Sequence, residues 1–213
     1  MADDYLGRKM EEYRARPAAA RHSPRSGAGL GGLLLKNRSH RSYDAGFIVR
    51  ADQLRSIVAV NTRIASACNR QALRFRPVLA DEAAAIVPHI RLGGALPGLS
   101  LPPEGQAPNA FIVVCATVEE DRYVDIDLGI SVQSMLLRAV EMGLNGICIA
   151  SFDREAVRQA LGLELEPLLV VAVGRGAERI RLVEIPAGAD HDYYRTPDGT
   201  HCVPKVRLDD LLL

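Results

Sequence analysis

The sequence predicts a mixed domain in which helices pack on both faces of one β-sheet. Three observations carry that expectation. Short β-branched apolar runs alternate with helical periodicities, one helix near the middle is apolar around much of its circumference, and Gly or Pro marks several boundaries between elements. With 213 residues and 48% apolar side chains, the chain can bury one sizeable core and is short for two.

Residues 3–16 place Leu6, Met10 and Tyr13 on one face among charges, an amphipathic helix that Pro17 ends. From there to Gly32 the composition turns to Ala, Arg, Ser, Pro and Gly, a surface linker. The expected organisation is therefore an N-terminal arm, 1–35, followed by one folded domain, 36–213. Leu54, Ile57 and Val58, with Ile64 beyond, give a helix from about Ala51 to Thr62. Leu73–Leu79 alternates as a strand, which Pro77 places at a sheet edge. Asp81–Val87 is a short helix, capped by Asp81 and stopped by Pro88. Gly93–Pro108 is a loop long enough to be functional.

Phe111–Cys115 is a continuous apolar run and hence a buried strand. After Asp127 comes the strongest helix, with Leu128, Val132, Met135, Leu136, Ala139 and Val140 on one face and Ile130 and Leu137 on another. Such a helix belongs at the centre of the molecule or in a subunit interface. Gly143 closes it, Ile147–Ala150 is the third strand, Asp153 caps a helix running to Leu161, and Leu168–Val173 is the fourth strand. The polar tail Ala187–Leu213 has no core of its own and lies along another surface.

Composition narrows the function. Twenty-six basic residues balance 26 acidic ones, which argues against nucleic acid as a partner. Cys68, Cys115, Cys148 and Cys202 form no Cys-x-x-Cys pair, and the five histidines show no ligand spacing, so neither a metal site nor a disulfide framework is expected. Met1–Arg21 lacks the apolar core of a signal peptide, and the apolar stretch Leu128–Met142 is interrupted by Gln133, Arg138 and Glu141. No membrane partner follows, and the cytoplasm is the expected compartment.

Some signals are weaker than their letters. Gly27-x-Gly29-x-x-Gly32 spells a dinucleotide fingerprint, but no strand precedes it, so a hinge is expected. Gly174 and Gly176 follow a strand without the third glycine and suggest a tight turn. Cys68 has no histidine at nucleophile spacing and is read as a small buried hydrophobe.

Three polar clusters resist that kind of explanation. Asn37-Arg38-Ser39-His40-Arg41-Ser42-Tyr43 and Lys205-Val206-Arg207-Leu208 supply the cations and hydroxyls that a phosphate needs. Ser66-Ala67-Cys68-Asn69-Arg70-Gln71 supplies amides suited to the edge of a flat heterocycle. Together they suggest a phosphorylated planar cofactor.

At these residues the sequence resembles the nitroreductase family. Arg38-Ser39-His40-Arg41-Ser42-Tyr43-Asp44 is similar to its N-terminal flavin motif, Arg-Arg-Ser-x-Arg-x-Phe, and Ser66–Gln71 to its Pro-Ser-x-x-Asn-x-Gln-Pro segment. The central helix followed by Gly143-Leu144-Asn145-Gly146-Ile147-Cys148-Ile149-Ala150-Ser151 resembles the family's helix, turn and flavin-edge strand, and Lys205–Leu208 its closing clamp. The match runs from about residue 36 onward. It departs at Asn37, where the family has an arginine, and at Ala72-Leu73, where Pro-Trp is frequent.

The resemblance implies an α+β sandwich, a mixed sheet flanked by helices, with the long central helix at a homodimer interface and FMN bound between the subunits. Arg38, Ser39 and Arg41 of one chain, with Lys205 and Arg207, would hold the phosphate, ribityl chain and pyrimidine edge. Ser66, Asn69 and Gln71 would come from the partner, and the backbone at Ala150 and Ser151 would face the reactive edge of the ring. The implied activity is hydride transfer from NADH or NADPH through FMN to a nitroaromatic, quinone or other small acceptor. No side-chain acid or base is singled out. The alternative left open is a non-catalytic FMN-binding or redox-sensing dimer of the same fold.

Overall fold

The structure is a computed structural model and describes residues 29–93 and 99–213. The helix expected at 3–16 and the linker up to residue 28 lie outside the described residues. In chain order the elements begin with α1 (Leu30–Lys36), which starts where a linker was expected, then α2 (Ala51–Val58), extended by a 3-10 turn at Ala59–Thr62.

Four strands build the main sheet: β1 (Leu73–Val78), β2 (Ala110–Ala116), β3 (Asn145–Ile149) and β4 (Pro167–Gly174), in the order β1–β2–β4–β3. All three pairings are antiparallel. Pro77 lacks the N–H that a second neighbour would require, and β1 accordingly lies at an edge. The inner strand β2 is buried at every position. Its side chains alternate between two cores, as a period of two dictates. Ala110, Ile112 and Val114 face α2 and α4 (Arg122–Glu141), packing with Leu54, Ile57, Val132, Met135 and Ala139. Phe111, Val113 and Cys115 face α3 (Ala80–Ile86) and α5 (Arg154–Ala160), packing with Ile86, Ile147, Val157 and Val170. Helices thus cover both faces, as expected.

The architecture corrects the sequence reading in three places. The central helix starts at Arg122, where the Asp121 carboxylate accepts from the N–H groups of Tyr123 and Val124; Asp127 lies inside the helix and is buried. Helix α3 is preceded by Leu79 with no side-chain cap, and Asp81 sits in its first turn, where a negative charge suits the helix dipole. Asp153 does cap α5, accepting from the Ala156 N–H at 3.0 Å, and Gly143 turns the chain after α4 with φ 76°.

The third correction is a second sheet. The chain after β4 forms β5 (Ile180–Ile185), β6 (Tyr194–Arg195) and β7 (His201–Val206) in the order β5–β7–β6, ending in the short α6 (Leu208–Leu211). The β5–β7 pair is parallel and β6–β7 antiparallel, so the mixed pairing of this fold lies here. β6 is exposed and β5 and β7 are only half-buried, with charges among their apolar residues, which hid their periodicity. The tail reading, Ala187–Leu213, missed β6 and β7 for that reason, and β5 lies just ahead of it.

Candidate functional site: a cation-lined cleft between the two sheets

The segment Ser39–Asp44 is extended chain docked between β3 and the residues after β4. Ser39 bridges Gly146 in parallel, and the His40 N–H donates to the Gly146 carbonyl at 3.3 Å. Further on, Ala177 donates to the Ser42 carbonyl at 3.0 Å, Asp44 donates to Arg175 at 2.9 Å, and Tyr43 donates to Gln106 at 3.0 Å. The Tyr43 hydroxyl closes back onto the His40 carbonyl at 2.9 Å. Such close docking leaves no room for side chains opposite it. A Cβ at Gly174 would come within 2.7 Å of Tyr43 Cδ1, and one at Gly176 would run into the His40 ring. These glycines mark close approach; the tight turn expected from them is absent, since Gly174 ends β4 and Gly176 forms a bridge with Tyr43.

Docked in this way, the segment forms one wall of a cleft of about 300 Å³, at the lower end of ligand-site volumes. Asn37, Arg38, Ser39 and Arg41 line that wall, Gly146 and Cys148 of β3 the floor, and Tyr193, His201, Val203 and Lys205 the side built by the second sheet. Three cations from two distant parts of the chain therefore converge on one concavity. Arg41 is 8% exposed; its guanidinium donates to the Ser39 carbonyl at 3.3 Å and lies 5.3 Å from the centre of the Tyr193 ring. Arg38 donates to the Leu34 carbonyl at 2.6 Å. Among the described residues the Nε atoms of both arginines, and Nδ1 of His201, are buried without a hydrogen-bond partner. Buried donors left unmade are costly, and a ligand bearing anionic oxygens would satisfy them.

Behind the cleft sits a buried carboxylate. Glu178 accepts the Arg41 backbone N–H and an ion pair from Arg195 at 2.6 Å, with its side chain 5% exposed. His40 and His201 lie nearby. Burial pushes both imidazoles below their ordinary range, against the pull of Glu178, and Arg41 lowers them further. Both are therefore neutral at pH 7. Glu178, Tyr193, His201, Gln133 and Cys148 were not proposed from the sequence as site residues. The Glu178–Arg195 pair is 17 residues apart and leaves no local signature.

The remaining sequence candidates lie elsewhere. Arg207 pairs with Asp210 at 2.8 Å and is not among the cleft's lining residues. Ala150 and Ser151 follow the end of β3 and are exposed; Ala150 shares the strand side of Gly146 and Cys148 by alternation. Ser66, Asn69 and Gln71 form a separate turn, and Ser66 and Gln71 line a larger groove of about 620 Å³ with Asn61, Phe75, Asp127 and Ser131. Within one chain the two groups do not meet. Cys68, expected to be buried, is exposed there. No group of three potential metal ligands occurs among the described residues, and no described helix is long and apolar enough to cross a membrane.

Fold and cleft together define an α+β protein with a cation-lined, anion-receptive site between two sheets. Residues 104–175 match the model of the nitroreductase family. No curated protein matches the sequence. A protein of Exiguobacterium sibiricum solved in complex with FMN is 16% identical, with 79% of this chain and 99% of that one covered and a TM-score of 0.61. An FMN-dependent nitroreductase of Clostridium difficile is 19% identical over 70% of this chain and 89% of its own, TM-score 0.58. A protein of Staphylococcus epidermidis assigned as an NAD(P)H:FMN oxidoreductase is 15% identical over 70% and 87%, TM-score 0.56. The protein thus has the nitroreductase fold, and the resemblance to that family is borne out. Of the four motifs, only the central helix with its following strand falls inside the matched stretch.

Proposed function

We propose that the protein is an FMN-dependent oxidoreductase acting as a homodimer, taking hydride from NADH or NADPH and passing electrons to a small acceptor such as a quinone or nitroaromatic. The observation that carries the proposal is the convergence of Arg38, Arg41 and Lys205 on one cleft, with both arginine Nε atoms buried and without a partner among the described residues. That donor set fits a phosphorylated cofactor, and the FMN and oxidoreductase descriptions of the structural relatives support this choice.

Arg38, Ser39, Arg41 and Lys205 would hold the phosphate, ribityl chain and pyrimidine edge, and the backbone at Ala150 and Ser151 would lie along the reactive edge. Arg207 would join only by leaving Asp210. Ser66, Asn69 and Gln71, which the chain itself keeps away from the cleft, would serve the site of a second copy. Support for that arrangement comes from Tyr123, Ile126 and Ile130, which expose an apolar stripe on the outer face of α4 at 55%, 46% and 39%. Bound FMN would supply the two-electron chemistry, and the residues of this chain supply charge and orientation. Arg41, tied to Glu178 through its backbone and stacked near Tyr193 through its guanidinium, would favour negative charge on the ring.

The test begins with the purified protein, which is expected to be yellow and to release FMN on heating. Colourless protein that also fails to bind added FMN would overturn the proposal. Oxidation of NADH or NADPH in the presence of a quinone then establishes turnover; bound FMN that neither nucleotide reduces selects a non-catalytic flavin dimer.

A further inference from the structure

We propose that Asp127 is the positioning residue of the 66–71 turn, holding Asn69 and Gln71 ready for the cofactor of the partner subunit. The inference rests on the FMN reading above. A carboxylate in the interior of a helix, 5% exposed, is unfavourable unless it is hydrogen-bonded. Asp127 uses its Oδ1 to accept the Ala67 N–H at 2.8 Å. Ala67 opens the 3-10 turn Ala67–Asn69, whose preceding residue, Ser66, makes no side-chain cap. Asp127 therefore caps that turn from another element, reaching across from the centre of the fold.

The turn needs such an anchor. Cys68, Asn69 and Gln71 all have left-handed backbone, at φ 50°, 53° and 48°, a region that residues with a Cβ avoid. Internal bonds alone are modest. Ser66 Oγ accepts the Gln71 N–H at 3.2 Å, and the Gln71 amide donates to Asn69 Oδ1 at 3.1 Å, in an exposed setting. The other tie to α4, Arg70 with Asp121 at 3.0 Å, is also exposed and open to screening by salt. Asp127 is the buried one. It fixes the backbone at the start of the turn, and the amide side chains of Asn69 and Gln71 are left exposed above it.

Two variants remove the bond from opposite sides. Asp127→Ala deletes the acceptor. Ala67→Pro deletes the donor and suits the first position of a turn after extended Ser66, at φ −139° and ψ 155°. Each is expected to weaken FMN binding about tenfold or more, and riboflavin equally, because the turn would touch the ring and not the phosphate. Amide exchange at 68–71 in the flavin-free protein should accelerate while β2 and β4 stay protected. Asp127→Asn, which keeps an acceptor oxygen, should restore most of the affinity. Wild-type affinity and exchange in Asp127→Ala would overturn the assignment, as would an Asp127→Asn variant no better than Asp127→Ala. Should Asp127→Ala not fold, Ala67→Pro with wild-type affinity would overturn it equally. Wild-type protein that binds no flavin refutes the FMN reading instead, and exchange at 68–71 then decides the anchoring alone.

Discussion

The two sheets that enclose the cleft are held together by different forces. In the main sheet β2 is buried at all seven positions, and both its faces are covered by helices. In the second sheet β6 is exposed and β5 and β7 are half-buried, with Glu178–Arg195 and Arg179–Asp198 pairing around them. Apolar burial is unaffected by pH and ligands, whereas a sheet kept by ladders and charges responds to both. One wall of the site is thus rigid, and the other is the wall a ligand can stiffen.

The largest expected effect falls on the rigid side. Phe111→Ala, at a fully buried position of β2, should cost about 3–5 kcal/mol and lower the midpoint of the whole denaturation curve. Loss confined to the second sheet would break the contrast. Glu178→Ala should cost roughly 1–3 kcal/mol, since it orphans the Arg41 N–H and frees Arg195. Its signature is faster amide exchange in 194–206, with the main sheet still protected, and FMN should reverse part of that change.

The pH response is expected to be smaller still. His40 and His201 are depressed below the usual imidazole value by burial and by Arg41, with Glu178 opposing. The unfolded chain then binds more protons than the folded one as pH falls through about 6.5. Stability should be full above that value and decline below it. A thermal midpoint that rises on acidification from pH 7.5 to 5.5 would contradict neutral histidines, and His201→Gln should flatten the decline. Least of all, Arg207→Ala should change stability by about 1 kcal/mol or less, its pair with Asp210 being exposed. Lys205→Ala should weaken FMN much more than riboflavin, while Arg207→Ala leaves the two alike. Equal phosphate dependence in both would place Arg207 in the cleft.

How much of this could be read in advance follows the same division. β1 to β4 were legible because buried runs such as Phe111–Cys115 have few alternatives, and Pro77 announced the edge. The second sheet was not, because Ile180-Arg181-Leu182-Val183-Glu184-Ile185 is a strand only in the company of β7, a partner some twenty residues away. Arg38, Ser39, Arg41 and Lys205 stood out as clusters of donors, and the structure gathers them around one cleft. Glu178, Tyr193 and His201 are ordinary letters until the chain folds back. Asp127 was noticed for the wrong reason, as the start of a helix, because a buried carboxylate and an N-cap look alike in one dimension.

The bare backbone at Gly174 and Gly176 has a consequence for how this chain can vary over evolutionary time. Neither residue offers a functional group, yet any replacement pushes Tyr43 or His40 off its seat and drags the arginines of the neighbouring segment with it. A saturation library scored for flavin retention should therefore show two positions as intolerant as Arg41 itself, chosen by want of space. Tyr43 belongs to the core as well as to the segment beside the cleft, so these two places stay closed to alanine and serine whether or not the cleft is in use.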